Sequence, residues 1–448
     1  MNMYPILFRK IIFPIAENYK KTNIQRYLIW LNKTQWMKPA EIQELQDKKL
    51  RALIKHAYTN VPYYHDLFKK LGLLPEDIRS KNDLVKLPVL TKDIIRKNFG
   101  ELQSVNLDKS TVMEAHSSGT TGEPLKFYLS RDAYSYGWAQ TLRCWEWGGY
   151  RLGDPYIKIS PDSRKRSEKI QDRMMRSRFI SAADINEKTA LEKLQDIKQF
   201  KPRIIRSYAS PVYLLARYAE EFDYKGIKPG AVMTTGEKLY PHYRSLIESQ
   251  FDCKVFDCYG GESTPLAFEC EKHDGYHLCE ETSIVEILKN NMPASAGELG
   301  EIAFTNLDNH AMPFIRYKLG DMGKLSDELC SCGRGLSLMS SVEGRSSDMI
   351  ITKNKDVLIV NFFTNLFKNM EGISQFQVVQ EAINEINIKI VKNEKFEETC
   401  ILHIKSEIRK YAGEEMSINV DYVESIPLTK SGKRRFVVSK IPVDTLWK

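Results

Sequence analysis

The chain has 448 residues, of which 42% are hydrophobic and 28% charged, and its formal net charge is +8. This is the composition of an ordinary globular protein, and the length predicts about two to four domains. Basic side chains are spread along the chain, and the densest basic stretch, residues 164–178, also contains Glu168 and Asp172. Nucleic-acid binding is therefore not expected. A positive balance instead suits an enzyme that handles nucleotide triphosphates and anionic acids.

The N-terminal residues 4–16 are apolar but contain Arg9, Lys10 and two prolines. They lack a small-residue cleavage site, which argues against a signal peptide, and no segment of 18 uncharged apolar residues predicts a membrane span. We expect a surface helix that packs on the body of the protein, with peripheral membrane contact as the alternative. The expected compartment is the cytoplasm, and the sequence leaves the oligomeric state open.

Residues 20–110 are predicted to be helical. Apolar side chains recur three and four residues apart from Leu50 to Ala57, and the pattern ends at Val61-Pro62. Thr91 is expected to cap a later helix. Beyond this section short apolar runs alternate with helical patterns, which predicts an α/β chain.

Two strand-like runs, residues 284–288 and 301–304, flank a turn-like sequence and predict a hairpin. From residue 345 onward, strands and helices alternate over roughly 100 residues in an α+β pattern. The sequence therefore predicts an α/β fold with a large multi-layer N-terminal domain, residues 1–344, and a small C-terminal domain, residues 345–448.

The strongest local motif is a loop rich in glycine and hydroxyl groups: Ser117-Ser118-Gly119-Thr120-Thr121-Gly122-Glu123-Pro124-Leu125-Lys126. Its glycines let the backbone bend closely around phosphate oxygens, its hydroxyl and N–H groups can donate to them, and Lys126 adds charge. It lacks the Gly-Lys-Ser/Thr ending of the usual P-loop. On composition alone, a surface loop explains it equally well.

Later motifs combine glycine with an aromatic, acidic or basic side chain. An aromatic ring can stack on adenine, and a carboxylate can hold Mg²⁺ or accept from ribose hydroxyls. A late lysine on a flexible loop can offset charge on a carboxylate and an α-phosphate. Each motif alone is explained equally well or better by a turn. The residues concerned are Gly236, Glu237, Tyr259, Gly260, Gly261, Glu262, Asp321, Arg345 and Lys433.

In their order along nearly the whole chain, these motifs resemble the adenylate-forming (acyl-CoA synthetase-like) superfamily. Leu125, inserted before Lys126, and the run Asn60-Val61-Pro62-Tyr63-Tyr64 resemble its phenylacetate–CoA ligase branch. Within that branch, the match is closest to the ligase-like proteins of capsule and surface-polysaccharide gene sets. The resemblance implies an adenylation domain over residues 1–344, with a helical section at 1–110 and a phosphate loop at 117–126, and a mobile C-terminal domain.

The resemblance also implies roles for individual residues. Tyr259 would stack on adenine, Glu262 would hold Mg²⁺, Asp321 would bind ribose, Arg345 would touch the nucleotide, and Lys433 would be the catalytic adenylation lysine. The implied ATP site comprises Ser117, Ser118, Gly119, Thr120, Thr121, Gly122, Lys126, Gly236, Glu237, Tyr259, Gly260, Gly261, Asp321 and Arg345. The chain departs from the family pattern at three positions: Gly261 and Leu319 each replace a threonine, and Ser347 takes an acidic position at the hinge.

The implied reaction activates a carboxylic acid as acyl-AMP and passes the acyl group to coenzyme A. Two alternatives stay open: amide formation on an amine or amino sugar in surface-polysaccharide assembly, and a non-catalytic nucleotide-binding protein. The intact Glu262, Asp321 and Lys433 argue against the latter. The acid itself is not predicted, since Tyr150, Tyr208 and Phe268 suit a pocket wall or the core.

The region 270–332 contains a cysteine and histidine set that suits zinc. Cys270-x₂-His273 and Cys330-x-Cys332 would supply three thiolates and an imidazole in tetrahedral number. His277 and Cys279 compete as ligands, and reduced surface cysteines are the alternative to a metal site. Four protein ligands would leave no open position, so we expect a structural zinc.

Overall fold

A computed structural model describes residues 3–107, 111–116, 125–160, 172–237, 239, 241–261, 263–289, 291–298, 300–342, 349–353, 357–367, 370–427 and 436–441. The helices with both ends described are α1 (Tyr4–Leu7), α2 (Phe13–Lys20), α3 (Ile24–Thr34), α4 (Pro39–Asn60), α5 (Pro62–Leu71), α6 (Lys92–Lys97), α7 (Arg131–Trp147), α8 (Glu187–Phe200), α9 (Ala209–Glu221), α10 (Pro241–Phe251), α11 (Val360–Phe367) and α12 (Thr399–Ala412). A π-helical turn, Phe8–Ile12, joins α1 to α2, and 3₁₀ turns cover Pro75–Asp77, Lys81–Lys86 and Ala182–Asp184.

The strands are β1 (Val112–His116), β2 (Lys126–Ser130), β3 (Tyr156–Ser160), β4 (Ser177–Ser181), β5 (Ile204–Ser207), β6 (Ala231–Thr235), β7 (Lys254–Gly261), β8 (Thr264–Glu269), β9 (Tyr276–Leu278), β10 (Ser283–Lys289), β11 (Met292–Pro293), β12 (Gly300–Asn306), β13 (Tyr317–Leu325), β14 (Leu338–Val342), β15 (Met349–Ile351), β16 (Val357–Ile359), β17 (Ile373–Ala382), β18 (Glu385–Lys392), β19 (Ser417–Tyr422) and β20 (Val437–Ser439).

The chain divides into two compact units. Unit 1 comprises residues 1–116, 126–154 and 256–344, and unit 2 comprises residues 117–125, 155–255 and 345–448. Residues 155–255, which the sequence assigns to the N-terminal domain, belong to unit 2.

The N-terminal part of unit 1 is helical, as predicted. Leu50, Leu53, Ile54 and Ala57 are all fully buried on one face of α4. The helix ends at Asn60 because Pro62 restricts the residue before it to extended backbone. Thr91 caps α6 by accepting a hydrogen bond of 3.3 Å from the backbone N–H of Ile94, which confirms the predicted cap.

The strands of unit 1 form antiparallel pairs. The hairpin β1–β2 pairs His116 with Lys126, so it flanks the predicted phosphate loop on both sides. The remaining strands follow the order β11-β10-β12-β13-β14-β9-β8-β7. The predicted hairpin is confirmed, since β10 pairs with β12 from Ser283–Asn306 to Leu288–Glu301, with the short β11 between them in sequence.

Unit 2 contains a parallel sheet and a separate mixed sheet. The parallel strands follow the order β6-β5-β3-β4 and pack with α8, α9 and α10 around one apolar core. The order of the C-terminal sheet is β19-β18-β17-β20, and it packs with α12 around a second core. The predicted α/β character and the α+β pattern of the C-terminal part are confirmed. Among the described residues, no helix has both the length and the apolar character needed to cross a bilayer.

Candidate functional site

Several residues of the predicted ATP site lie outside the described residues. They are Ser117, Ser118, Gly119, Thr120, Thr121, Gly122, Glu262, Arg345 and Lys433. The described ones divide between the units: Lys126, Tyr259, Gly260, Gly261 and Asp321 belong to unit 1, and Gly236 and Glu237 belong to unit 2.

Two of the predicted nucleotide residues meet in unit 1. The Tyr259 hydroxyl donates a hydrogen bond of 3.1 Å to Oδ2 of Asp321, although 62 positions separate them in sequence. Tyr259 lies near the end of β7 and Asp321 in β13, and both side chains are half-buried. Held side by side in this way, the aromatic ring can stack on the base of a nucleoside, and the carboxylate can accept hydrogen bonds from the hydroxyls of its ribose.

An irregularity in the pairing of β13 brings Asp321 to this position. The pairing of β13 with β12 shifts between Glu301–Met322 and Ala303–Lys318, which leaves residues 319–321 outside the regular ladder. Gly320, with φ +85°, supplies the left-handed backbone that this irregularity needs. Asp321 therefore lies in an interrupted strand and not in a turn after the strand.

The two threonine replacements of the sequence face each other. A Cβ atom built on Gly261 would lie 2.2 Å from Cδ2 of Leu319, so the leucine side chain occupies the space over the glycine. At the preceding position, a Cβ on Gly260 would lie 2.6 Å from the carbonyl oxygen of Thr264. Gly260 is therefore required by the close approach of the backbone at the end of the β7–β8 hairpin, whereas at Gly261 it is the side chain of Leu319 that fills the space.

The motif around Gly236 is organised by the start of α9. Gly236 has φ +78°, and a Cβ there would lie 2.5 Å from Cε1 of Tyr208, so the tyrosine ring packs directly on this glycine. Oε2 of Glu237 accepts a hydrogen bond of 2.9 Å from the backbone N–H of Ser210 in the first turn of α9. Burial raises the pKa of Glu237, opposed by its hydrogen bonds from Ser210. Glu237 thus helps to cap α9 and lies before the start of α10.

Lys126 begins β2, at the end of the predicted phosphate loop. Its ammonium lies 2.6 Å from Oε2 of Glu114 on the paired strand, and this contact raises the pKa of Lys126. The side chain is 43% exposed. Lys126 is therefore charged and close to solvent, beside the loop that the sequence assigns to phosphate.

Two of the three residues weighed for an acyl pocket lie in the core. Tyr150 is fully buried and packs edge-on against Trp145, with ring centroids 5.3 Å apart. Phe268 is buried against Cys144 and Cys279. Tyr208 is half-buried and lies over Gly236, beside a predicted site motif.

A second cluster in unit 1 groups three thiols and one imidazole. The ligand atoms of Cys270, His277, Cys330 and Cys332 all lie within 4.8 Å of one another. Sγ of Cys270 lies 3.5 Å from Sγ of Cys330, and Sγ of Cys332 lies 3.4 Å from Nε2 of His277. Three sulfurs and one nitrogen at these spacings have the number and type of atoms that tetrahedral Zn²⁺ binds.

The imidazole in this cluster belongs to His277 and not to His273. The predicted His273 closes a turn with its N–H to the carbonyl of Cys270, and its Nδ1 lies 3.6 Å from Oε2 of Glu269. The following antiparallel strand β9 then returns beside β8 and sets His277 opposite Phe268. Cys279 is also excluded from the group, because it packs with Cys144 and Phe268 in a separate apolar cluster.

Backbone N–H groups surround the thiols, a feature that sequence spacing did not reveal. The N–H of Lys272 lies 3.4 Å from Sγ of Cys270, and those of Cys332 and Arg334 lie 3.5 Å from Sγ of Cys330 and Cys332. Asp274 fixes the second turn by accepting from the N–H and hydroxyl of Ser331. Amide donors of this kind stabilise thiolates and orient them.

The surroundings of His277 and Cys332 favour the forms that bind a metal, whereas burial raises the pKa of Cys270 and Cys330. Burial, assisted by the positive charge of Arg334, lowers the pKa of His277 to about 4, so the imidazole is neutral at physiological pH. Burial acts to raise the pKa of Cys332, but hydrogen bonds from Arg334 outweigh it and the pKa is lowered. Arg334 is held by Glu271 at 3.1 Å and by the ring of Trp147, whose centroid lies 4.4 Å away.

Comparisons with known proteins agree with the resemblance. A family model described as the CapK C-terminal domain matches residues 350–440. Protein CapK of Staphylococcus aureus is 24% identical over 412 residues, which is 90% of either chain. The phenylacetate–coenzyme A ligase of Escherichia coli (strain K12) is 27% identical over 435 residues, covering 86% of this chain and 92% of the relative.

Solved structures show the same fold. The 2-hydroxyisobutyryl-CoA ligase in complex with 2-HIB-AMP and CoA superposes with a TM-score of 0.63 at 20% identity, over 92% of each chain. The same ligase in its postadenylation state gives a TM-score of 0.60. The chain is therefore similar in sequence to the phenylacetate–CoA ligases and to CapK over most of its length, and it has the fold of the 2-hydroxyisobutyryl-CoA ligase.

Proposed function

We propose that this protein activates a carboxylic acid with ATP and transfers the acyl group to coenzyme A. The observation that carries the proposal is the hydrogen bond of 3.1 Å between Tyr259 and Asp321. It joins two motifs that lie far apart in the sequence and that the family resemblance assigns to adenine and ribose. The phenylacetate–CoA ligase relatives, which align over most of their length, support the same reaction.

In the first half-reaction, a carboxylate oxygen attacks the α-phosphorus of ATP in line with the departing pyrophosphate. An acyl–oxygen–phosphorus bond forms and the bond to the β-phosphate oxygen breaks. In the second half-reaction, the thiol of coenzyme A attacks the acyl carbon, releasing AMP and one proton. The first step gains mostly from positioning and charge neutralisation.

This chain's residues would divide these tasks. Asp321 would orient the ribose and Tyr259 the base, while Lys126 and the loop 117–122 would receive the phosphates. Lys433 would offset the charge that the carboxylate and the α-phosphate bring together. Glu262 would hold Mg²⁺, which supplies further positive charge to the phosphates when bound. We place the reaction in the cytoplasm, where ATP and coenzyme A are available.

Pyrophosphate release tests the proposal. The purified chain is mixed with ATP, Mg²⁺ and a panel of aromatic and hydroxy acids, with and without coenzyme A, and acyl-AMP is identified by mass. At least one acid is expected to give acyl-AMP, and coenzyme A is expected to convert it to a thioester. A Lys433→Ala variant should lose the first step by at least about a hundredfold.

Lys440→Ala is a matched control for that variant, because Lys440 is a cation of the same C-terminal domain, 61% exposed and paired with Glu381. It should retain the wild-type rate. Unchanged AMP formation in Lys433→Ala, or no pyrophosphate release with any acid in the wild type, would refute the proposal.

One observation favours an acyl acceptor other than coenzyme A. The C-terminal domain matches a family model named for CapK, and CapK is a relative over nearly the whole chain. In that case the acyl group would pass to an amine, such as an amino sugar, and form an amide. Acyl-AMP that persists with coenzyme A but disappears on addition of an amino-sugar acceptor would establish this route.

We also propose that Cys270, His277, Cys330 and Cys332 hold a structural Zn²⁺. The support is the donor set itself, three thiols with backbone N–H donors and a neutral imidazole. All four ligands come from the protein, which leaves no position for a substrate. The metal would tie the turn after β8 and the strand β9 to the loop before β14.

A further inference from the structure

The N-terminal helical segment carries a row of exposed apolar side chains. Met3, Leu7, Ile11, Ile15 and Tyr19, here called the N-terminal stripe, are each between 45% and 89% exposed. They follow one another at intervals of four residues. In an α-helix of 3.6 residues per turn such positions drift around the axis, and the wider π-helical turn Phe8–Ile12 offsets part of that drift. Water-exposed aliphatic side chains in such a row are uncommon on a monomeric surface.

The opposite side of the segment is fixed to the body of unit 1. Phe8 and Phe13 are 2% and 9% exposed. A Cβ built on Gly153 would lie 3.0 Å from Cα of Pro5 and 3.3 Å from Cβ of Phe8, so the segment packs closely on the backbone there. The segment is therefore a docked helix with one apolar side buried, and its stripe is a second apolar side that no described residue covers.

The charge of this region is strongly positive. Residues 3–33 contain six basic side chains and a single carboxylate, Glu17. Glu17 accepts hydrogen bonds from the backbone N–H groups of Ile24 and Gln25 at the start of α3, so it is directed at the protein. The exposed charges are cations only: Lys10, Lys20, Lys21, Arg26 and Lys33.

We infer that the N-terminal stripe is a docking surface for an anionic lipid bilayer. An amphipathic helix with an apolar face and flanking lysines and arginines lies in the interface, with its apolar side chains below the headgroups and its cations beside them. Lys10, within the stripe, can extend its ammonium to the headgroups. The segment would lie on the membrane and not cross it, in agreement with the absence of a spanning helix among the described residues.

A second copy of the chain fits this surface less well. A two-fold dimer places the same patch on both sides of the interface, so the lysines and arginines of one copy would face those of the other. An anionic bilayer provides the opposite charge. This inference does not depend on which acid or acceptor the protein uses.

Vesicle flotation of the full-length protein tests the inference. The protein is mixed with vesicles of phosphatidylcholine alone or of phosphatidylcholine with phosphatidylglycerol. We expect the protein to float with the anionic vesicles, to be released by high salt, and to stay in solution with the neutral ones. The double variant Ile11→Glu, Ile15→Glu should bind at least about tenfold more weakly, because it removes two inserted side chains and adds two repelled charges.

Leu402→Glu provides the matched control. Leu402 is also an exposed aliphatic residue of a helix, 72% accessible, but it lies in the C-terminal domain, and its replacement should leave flotation unchanged. A second variant, Lys20→Gln with Lys21→Gln, should weaken the binding and reduce its salt dependence while leaving the apolar row intact. Equal melting temperatures of all variants would show that folding is preserved.

Three outcomes would overturn the inference. The wild type could fail to float with anionic vesicles. Ile11→Glu, Ile15→Glu could bind as well as the wild type. Light scattering could instead show a wild-type dimer that the double variant dissociates, which would make the stripe an interface between copies.

Discussion

Gly261 and Leu319 form one packing unit: the leucine side chain fills the space that a side chain at position 261 would need, with Cδ2 only 2.2 Å from the Cβ position. The adenylate-forming pattern has a threonine at each position. The two departures from that pattern are therefore coupled: a glycine and a leucine in contact replace the two threonines. They lie where β7 ends and where the bulge of β13 begins.

This relationship predicts non-additive mutations. Gly261→Thr alone should lower the free energy of unfolding by about 1–3 kcal/mol, because the new side chain overlaps Leu319. Leu319→Thr alone should cost about 2 kcal/mol through lost burial and the space left behind. The double variant should recover at least about 1 kcal/mol relative to the sum, measured by denaturant unfolding. Strict additivity would contradict the packing relationship.

The hydrogen bond between Tyr259 and Asp321 predicts graded losses of ATP affinity. Tyr259→Phe keeps the ring and removes about 1 kcal/mol of hydrogen bonding, so the Kd for ATP should rise about fivefold. Asp321→Ala, which removes the ribose acceptor, should raise it by more than about tenfold. Isothermal titration calorimetry measures both changes.

Tyr276→Phe is the control for Tyr259→Phe. Tyr276 also donates to a carboxylate, Oδ2 of Asp257 at 2.8 Å, but neither residue belongs to a nucleotide motif. It should alter stability without altering the Kd for ATP. An equal loss of affinity in both tyrosine variants would refute the assigned role of Tyr259.

Substitutions of His277 in the cysteine cluster and of His273 beside it are predicted to have opposite effects on zinc content. The wild type should contain about one zinc per chain by elemental analysis. His277→Ala should lose most of that zinc and melt at a lower temperature, as should Cys330→Ser. His273→Ala, its neighbour outside the cluster, should keep the metal. Metal loss on changing His273 and retention on changing His277 would reverse the assignment.

Alanine substitutions at Gly236 and Gly297 distinguish the stability cost of backbone strain from that of steric overlap. The two glycines have nearly the same φ, +78° and +79°, but a Cβ at 236 would meet Tyr208 at 2.5 Å, whereas nothing lies within 4 Å at 297. Gly297→Ala should therefore cost only the left-handed penalty, about 1–2 kcal/mol. Gly236→Ala should cost clearly more, as measured by thermal unfolding. Equal costs would mean that Tyr208 moves freely away.

Much of the fold was predictable from short-range patterns. The spacing of Leu50, Leu53 and Ala57 defines the buried face of α4, and Pro62 defines its end, because both depend on helix geometry alone. The alternation of apolar runs likewise predicted the α/β character, although it did not indicate the edge strand β4. The order of motifs predicted the similarity to the phenylacetate–CoA ligases and to CapK that the comparisons bear out.

The tertiary structure decided what depends on distant contacts. Spacing favoured His273 because it lies near Cys270, but the antiparallel return of β9 places His277 at the thiols. Glu237 follows a strand as a site residue would, yet its carboxylate caps α9 through Ser210. Leu319 and Gly261 are two unrelated departures from the family pattern in the sequence. Only the packing of β7 against the bulge of β13 shows that the two residues are in contact.

The sequence by itself determined the helical N-terminal section, the α/β character, the motif order and the chemistry that these residue types can perform, because those follow from local geometry and side-chain type. Only the tertiary structure decided which imidazole joins the thiols, which carboxylate is engaged as a cap, and which face of the N-terminal helix stays exposed. Such choices depend on contacts between residues tens to hundreds of positions apart, and periodicity carries no information about them.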